Sequence, residues 1–264
     1  MPEWLNVALL GIIEGITEFL PVSSTGHLLL AEKWLGHRSD LFNVVIQCGA
    51  VLAVLMAFSG RMRDLLVKTH EPENRDYLLK LLLAFVITGA GGMVLKRFEF
   101  QLPETAAPVA WATLGGGVLI LVVEGWLQGR SLKPRITWTV AAIAGVAQLA
   151  AAIFPGTSRS GATILAALAL GVQRKAATEF SFLLGIPTLL AAGGMHVYSA
   201  QQRGQTIDWP LVLIGASFAA VTAFVAVKWL LHYVQSHTFK AFGWYRIGLG
   251  ILILILFAKH SQSQ

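Results

Sequence analysis

Two acids four residues apart, Glu14 and Glu18, stand near the end of the first apolar stretch, with Pro21 just beyond them. On a helix this i, i+4 spacing puts both carboxylates on one face, at the end where the helix dipole is negative. Bare anions are unfavourable in that setting. Either a hard divalent cation, Mg²⁺ or Ca²⁺, joins them, or one of them carries a proton. Ser23, Ser24, Thr25 and His27 follow immediately. A helix starting there would offer free N–H groups and a positive dipole end to a phosphate, with Ser23 suited to capping it. His27 has the chemistry of a base, an acid or a nucleophile. Residue types alone leave open whether a serine, His27 or water would attack phosphorus.

A second polar break, Pro155-Gly156-Thr157-Ser158-Arg159-Ser160-Gly161-Ala162-Thr163, lies between two apolar arms. The guanidinium fork of Arg159 matches two phosphate oxygens and stays charged at any working pH. In a resting state it could equally pair with Glu14 or Glu18. Ser158, Ser160 and Thr163 add hydroxyls at a second helix start. Two further charges fall inside apolar stretches, Glu179 and Arg246. For these a structural ion pair or snorkelling to the interface competes with a direct role. Glu124 reads as interfacial.

The elements that would position these groups follow from hydropathy. The chain has 264 residues, 55% hydrophobic and 13% charged, with a formal charge of +6. Ordinary globular domains carry about 25% charged residues, so the bilayer must be the solvent, and nothing suggests nucleic-acid binding. The lone Cys48 gives neither a disulfide framework nor a cysteine metal site. No secretory leader is recognisable, and the mature chain is expected to begin near Met1. Six stretches are long enough to span a membrane: Leu41–Phe58, Tyr77–Leu95, Ala106–Leu127, Lys175–Ala200, Trp209–His232 and Phe242–Ala258. Charged or Pro/Gly-rich breaks such as Ser59–Asp76, Lys96–Glu104 and Gln128–Arg135 separate them.

Residues 4–35 and 138–171 behave differently, each being two apolar arms around a polar break. Irregular backbone at membrane depth needs protein or a water-filled cavity around it, so each reads as a re-entrant helical hairpin. The expected fold is thus an all-α polytopic membrane protein, one domain over 1–264. Six transmembrane helices and two hairpins form an inverted-topology repeat, 1–127 and 137–258, a plan that recurs in proteins handling polar substrates at the midplane. Arg61, Arg63, Lys68, Arg75, Arg130, Lys133, Arg135, Arg174, Lys175 and Lys240 fall on one side. Lys33, Arg38, Lys96, Arg97, Arg203 and Lys259 fall on the other. The larger set marks the cytoplasm and puts both termini outside.

With these residues in place, the chain resembles the undecaprenyl-diphosphate phosphatase family, the bacitracin-resistance proteins. The resemblance runs essentially the whole length. Its strongest parts are Glu14-Gly-Ile-Thr-Glu18-Phe-Leu-Pro-Val-Ser-Ser-Thr-Gly-His27, Pro155-Gly-Thr-Ser-Arg-Ser-Gly-Ala-Thr163 and Glu179-Phe-Ser-Phe-Leu-Leu-Gly-Ile-Pro187. It implies hydrolysis of undecaprenyl diphosphate to the monophosphate and inorganic phosphate, recycling the lipid carrier of cell-wall synthesis. It also implies a bacterial plasma-membrane location, divalent-cation dependence and a site open to the outer face. Glu14, Glu18, His27 and Arg159 would be the family's functional groups, and a homodimer is left open. A lipid-phosphate flippase without hydrolysis is the alternative. The acid-phosphatase superfamily does not fit, because its second block needs a histidine six residues after the arginine, where this chain has Leu165.

Overall fold

The computed structural model describes residues 1–98 and 105–258. Among them the chain is built from helices, six of which are long and apolar enough to cross a membrane. These six are α3 (Asp40–Ala57), α5 (Pro72–Arg97), α6 (Ala106–Trp126), α9 (Arg174–Gln202), α10 (Trp209–Tyr233) and α11 (Lys240–Ala258). They coincide with the six stretches that hydropathy picks out. The expected break at Lys96–Glu104 lies mostly outside the described residues, as does Lys259. Ser59–Asp76, expected as a plain break, contains a nine-residue helix, α4 (Ser59–Val67). Its polar face carries an i, i+4 pair between Asp64 and Lys68, which a reading for apolar runs passes over.

Both shorter apolar regions form helix–break–helix units. The first comprises α1 (Glu3–Thr17) and α2 (Ser24–Leu35), the second α7 (Trp138–Ile153) and α8 (Arg159–Ala169). In each, the first arm ends just ahead of a proline, Pro21 or Pro155, which cannot continue the helical bonding. In each, the second arm is capped by a serine at positive φ, Ser23 at 75° and Ser158 at 68°. These are the only non-glycine residues at positive φ among the described residues. The Oγ of each accepts the amide three residues on, Gly26 N at 3.3 Å and Gly161 N at 3.1 Å. Two such left-handed serines cost conformational energy that the surroundings must override, a pattern that concentrates at functional sites.

Small residues let the helices approach closely, as helix packing in lipid requires. Gly11 and Gly15 of α1 sit against the backbone of Gly215 and Ala219 in α10, and Gly49 of α3 sits against Ala216. Polar contacts add to this. Gln148 of α7 is buried, donates to Thr88 of α5 at 2.9 Å and accepts from Thr188 of α9 at 3.3 Å. Beneath the breaks, Phe19, Phe58 and Phe182 meet edge to face, an arrangement that suits the charge distribution of aromatic rings.

Glu124, read as interfacial, is enclosed by protein at 1% exposure. Arg174 grips it with two donors, and the Phe239 amide donates to it at 2.8 Å. The α6–α7 loop is pinned nearby, where Lys133 pairs with the α8–α9 turn. These contacts join segments remote in sequence, which is why spacing could not reveal them.

Candidate active site

The two breaks meet. Glu18, 7% exposed, accepts the Ser24 hydroxyl at 2.8 Å on one carboxylate oxygen and the Arg159 guanidinium at 3.4 Å on the other. One carboxylate thus links a hydroxyl from the first break to the cation of the second. Ser160 reaches back from the second break, its Oγ lying 3.1 Å from the Leu20 carbonyl and 3.3 Å from that of Glu18. Thr163 bonds the backbone of Arg159 and Ser160, and its Oγ is 2.5 Å from that of Ser181.

Glu14, one turn before Glu18, is completely buried, and neither carboxylate oxygen has a hydrogen-bond partner. Its polar neighbours are Glu18 and Gln47 of α3. A bare carboxylate there is costly, so either a proton shared with Glu18 or a cation completes it. The Nε of Arg159 is likewise buried and unpartnered, while one Nη donates to the Ser181 carbonyl at 3.3 Å. The guanidinium also stands 5.5 Å from the Phe19 ring. Gly185 makes room for it, since a Cβ there would lie 2.8 Å from the Arg159 Cζ.

His27 belongs to the same break but turns away from the carboxylates. Its Nδ1 is 2.7 Å from the Ser23 carbonyl, and its Nε2 is 2.6 Å from the Tyr245 hydroxyl. Both residues line a groove of about 400 Å³ whose walls include Leu20, Val22, Trp229 and Phe242. Ser23 and Ser158 act as caps, as expected of Ser23. Thr25 is exposed and is not brought into the cluster.

Arg246 departs from both sequence expectations. It neither snorkels nor pairs with an acid. At 1% exposure it donates to four backbone carbonyls: Thr113 at 3.1 Å, Ala112 at 3.2 Å, Pro21 at 3.4 Å and Gly156 at 3.0 Å. Glu179 is not brought to the cluster. It lines a separate cavity of about 660 Å³ with Arg61, Tyr77 and Arg135. Ser181 and Tyr245 are the contacts that sequence reasoning missed. Ser181 lies within the motif that begins at Glu179, which could have flagged it, whereas nothing around Tyr245 marks it.

Because the group crowding Gly185 is a side-chain tip rather than backbone, Gly185→Ala should leave the fold intact and displace Arg159 from Glu18. A shift of about 1 Å in such a group can cost about 100-fold in rate. We expect a loss of that order in turnover with an unchanged melting temperature. Full turnover in the variant would show that the position of Arg159 is not critical.

The sequence model described as "Bacitracin resistance protein BacA" matches residues 7–252. An undecaprenyl-diphosphatase of Rhizobium etli is 52% identical over 96% of each chain. Those of Xanthomonas oryzae pv. oryzae and Xylella fastidiosa are 48% and 47% identical, covering 97% and 98% of those proteins respectively. With the match spanning both breaks, five of the six long helices in full and most of the sixth, the chain belongs to the bacitracin resistance protein BacA family.

Proposed function

We infer that this chain hydrolyses undecaprenyl diphosphate to undecaprenyl phosphate and inorganic phosphate, which recycles the carrier lipid and confers bacitracin resistance. The observation that carries this reading is Glu18 bonded to both Ser24 and Arg159, one from each break. Family membership and the names of the relatives agree with it. Movement of the lipid without hydrolysis would leave this pairing of a hydroxyl with a carboxylate without a use.

In the reaction we propose, Ser24 Oγ attacks the terminal phosphorus as its proton passes to Glu18. The bridging P–O bond breaks and undecaprenyl phosphate leaves. Water then attacks the phosphoserine, Glu18 returns its proton to the Ser24 oxygen, and inorganic phosphate leaves. Arg159 supplies donors to the phosphoryl oxygens, where charge-assisted bonds are strongest. The N-termini of α2 and α8, both starting in the breaks, add unpaired backbone N–H groups. The prenyl chain leaves through the groove beside His27, whose lining is almost wholly apolar.

The acids fit a divalent cation. Glu14 has two buried oxygens without a partner and Glu18 is one turn away. Among the described residues no cluster of three acidic, histidine or cysteine side chains is present, so further ligands would be substrate phosphate oxygens and water. Such oxygen donors suit Mg²⁺ or Ca²⁺, which would neutralise charge on the diphosphate.

We further propose that the two helix–break–helix units are re-entrant hairpins related by an inverted repeat. Three long helices follow each unit. Contacts exchange as the repeat requires: α1 packs on α10 while α7 packs on α5, and α3 with α9 and α6 with α11 form the central pairs. The Lys and Arg bias then faces the site outward in the bacterial plasma membrane, with both termini outside.

Purified protein given undecaprenyl diphosphate should release one phosphate per lipid monophosphate formed. Chelation should stop the release, and Glu14→Gln should raise the cation concentration needed for half-maximal rate. Lipid bound without phosphate release would favour a carrier. Activity surviving exhaustive chelation would exclude an obligatory cation. For orientation, single cysteines replacing Arg63 or Gln205 can be introduced after Cys48→Ser. In intact spheroplasts the one at 205 should react with an impermeant maleimide and the one at 63 only after lysis, and the opposite pattern would invert the assignment.

A further inference from the structure

His27 is the one titratable group of the first break whose two polar ring atoms are both engaged. Its Nδ1 lies 2.7 Å from the carbonyl oxygen of Ser23. A carbonyl can only accept, so Nδ1 carries a hydrogen in either charge state of the ring, an assignment made from the hydrogen-bond network. In the neutral ring Nε2 must then be the acceptor, and the Tyr245 hydroxyl 2.6 Å away donates to it. When the ring takes a second proton, Nε2–H donates instead and the tyrosine oxygen accepts, which needs only rotation about its C–O bond. The two rings lie nearly parallel, 7° apart with centroids 5.6 Å distant, so the tyrosine holds the imidazole plane as well.

The surroundings offer no obvious substitute. Apart from apolar side chains, the groove lining brings only two other hydroxyls. That of Thr17 is turned to the Ile13 carbonyl at 2.7 Å, and Tyr233 packs its ring on Trp229 and His237 rather than on His27. Tyr245 comes from α11, one residue before Arg246, whose guanidinium is anchored to both breaks. Its hydroxyl is therefore carried by the same rigid turn that fixes the site.

We propose that Tyr245 is the positioning residue for His27. It keeps the neutral ring protonated on Nδ1 and, by donating to Nε2, fixes the ring at the mouth of the groove, where the substrate's headgroup joins its chain. His27 then takes up a proton at Nε2 through that hydroxyl, Tyr245 passing its own proton to Nε2 as it accepts one from the water that attacks the phosphoserine. The proton leaves with the released phosphate, while Glu18 returns its proton to Ser24 on the other side. The proposal rests on the reading of the two breaks as the hydrolytic site. Ring and groove contacts survive in Tyr245→Phe, so only the hydroxyl is tested.

The experiment measures kcat and KM for undecaprenyl diphosphate in detergent with the unmutated protein, Tyr245→Phe, His27→Ala and the double variant. Loss of one such hydrogen bond should lower kcat about tenfold, with KM changed less than about twofold. In the His27→Ala background, Tyr245→Phe should have no further effect, because residues acting through one another are not additive. Unchanged kcat in Tyr245→Phe overturns the proposal, as does an equal loss with and without His27, or a change confined to KM. Full activity of His27→Ala would instead overturn the inclusion of His27 in the site.

Discussion

Arg246 lies where α6, α11 and the two breaks converge, and its guanidinium is shut away from solvent. Burying such a group is expensive unless its donors are satisfied. Here its side-chain bonds go to backbone carbonyls: two on α6 (Ala112 and Thr113) and one from each break (Pro21 and Gly156). Gly116 leaves the space it fills, for a Cβ there would lie 2.6 Å from the Arg246 Cζ. Those break carbonyls are the groups that interrupted helices leave without partners, and hydrocarbon cannot supply one. A single fixed cation therefore satisfies backbone on both sides and sets how far apart the two breaks stand.

The facing geometry of the site depends on that spacing. Neutral groups complete the join: Ser160 reaches the carbonyls of Glu18 and Leu20, and Thr113 lies within hydrogen-bond reach of Ser23 and Gly156. Once the breaks are locked by these, the charged groups are left with capacity to spare. Glu14 keeps both oxygens and Arg159 keeps its Nε without partners. A donor held rigidly in a low-dielectric site is what stabilises charge developing in a transition state, and carboxylate oxygens with capacity to spare are what a hard cation takes. The positive φ of Ser23 and Ser158 is the local cost of presenting two helix N-termini to one place.

The sequence disclosed the six long helices because each is a sustained apolar run, and lipid demands such runs. It singled out Glu14, Glu18, Ser24 and Arg159, which the structure gathers at the two breaks, because charge and hydroxyls inside apolar stretches are rare and expensive. Its errors share one cause, the lack of information about what lies across the bundle. For Arg246 the sequence left an ion pair, snorkelling and a direct role open, because its partners are carbonyls, which carry no sequence signature. That Glu124 is enclosed by protein could not be read because its partner Arg174 sits 50 residues away. His27 could be placed in the first break, but not aimed, without Tyr245 from α11. The helix α4 was missed since its apolar face is too short to register as a run.

The measurement that bears most directly on this account is the turnover and thermal stability of Arg246→Lys, assayed below its melting temperature. A lysine keeps the charge but lacks the planar fork that reaches several carbonyls at once. The account predicts a lowered melting temperature and a loss of about 100-fold or more in turnover by the folded protein, the breaks having lost their fixed separation. Unchanged turnover and an unchanged melting temperature would contradict it, and would mean that the two breaks hold their positions without Arg246.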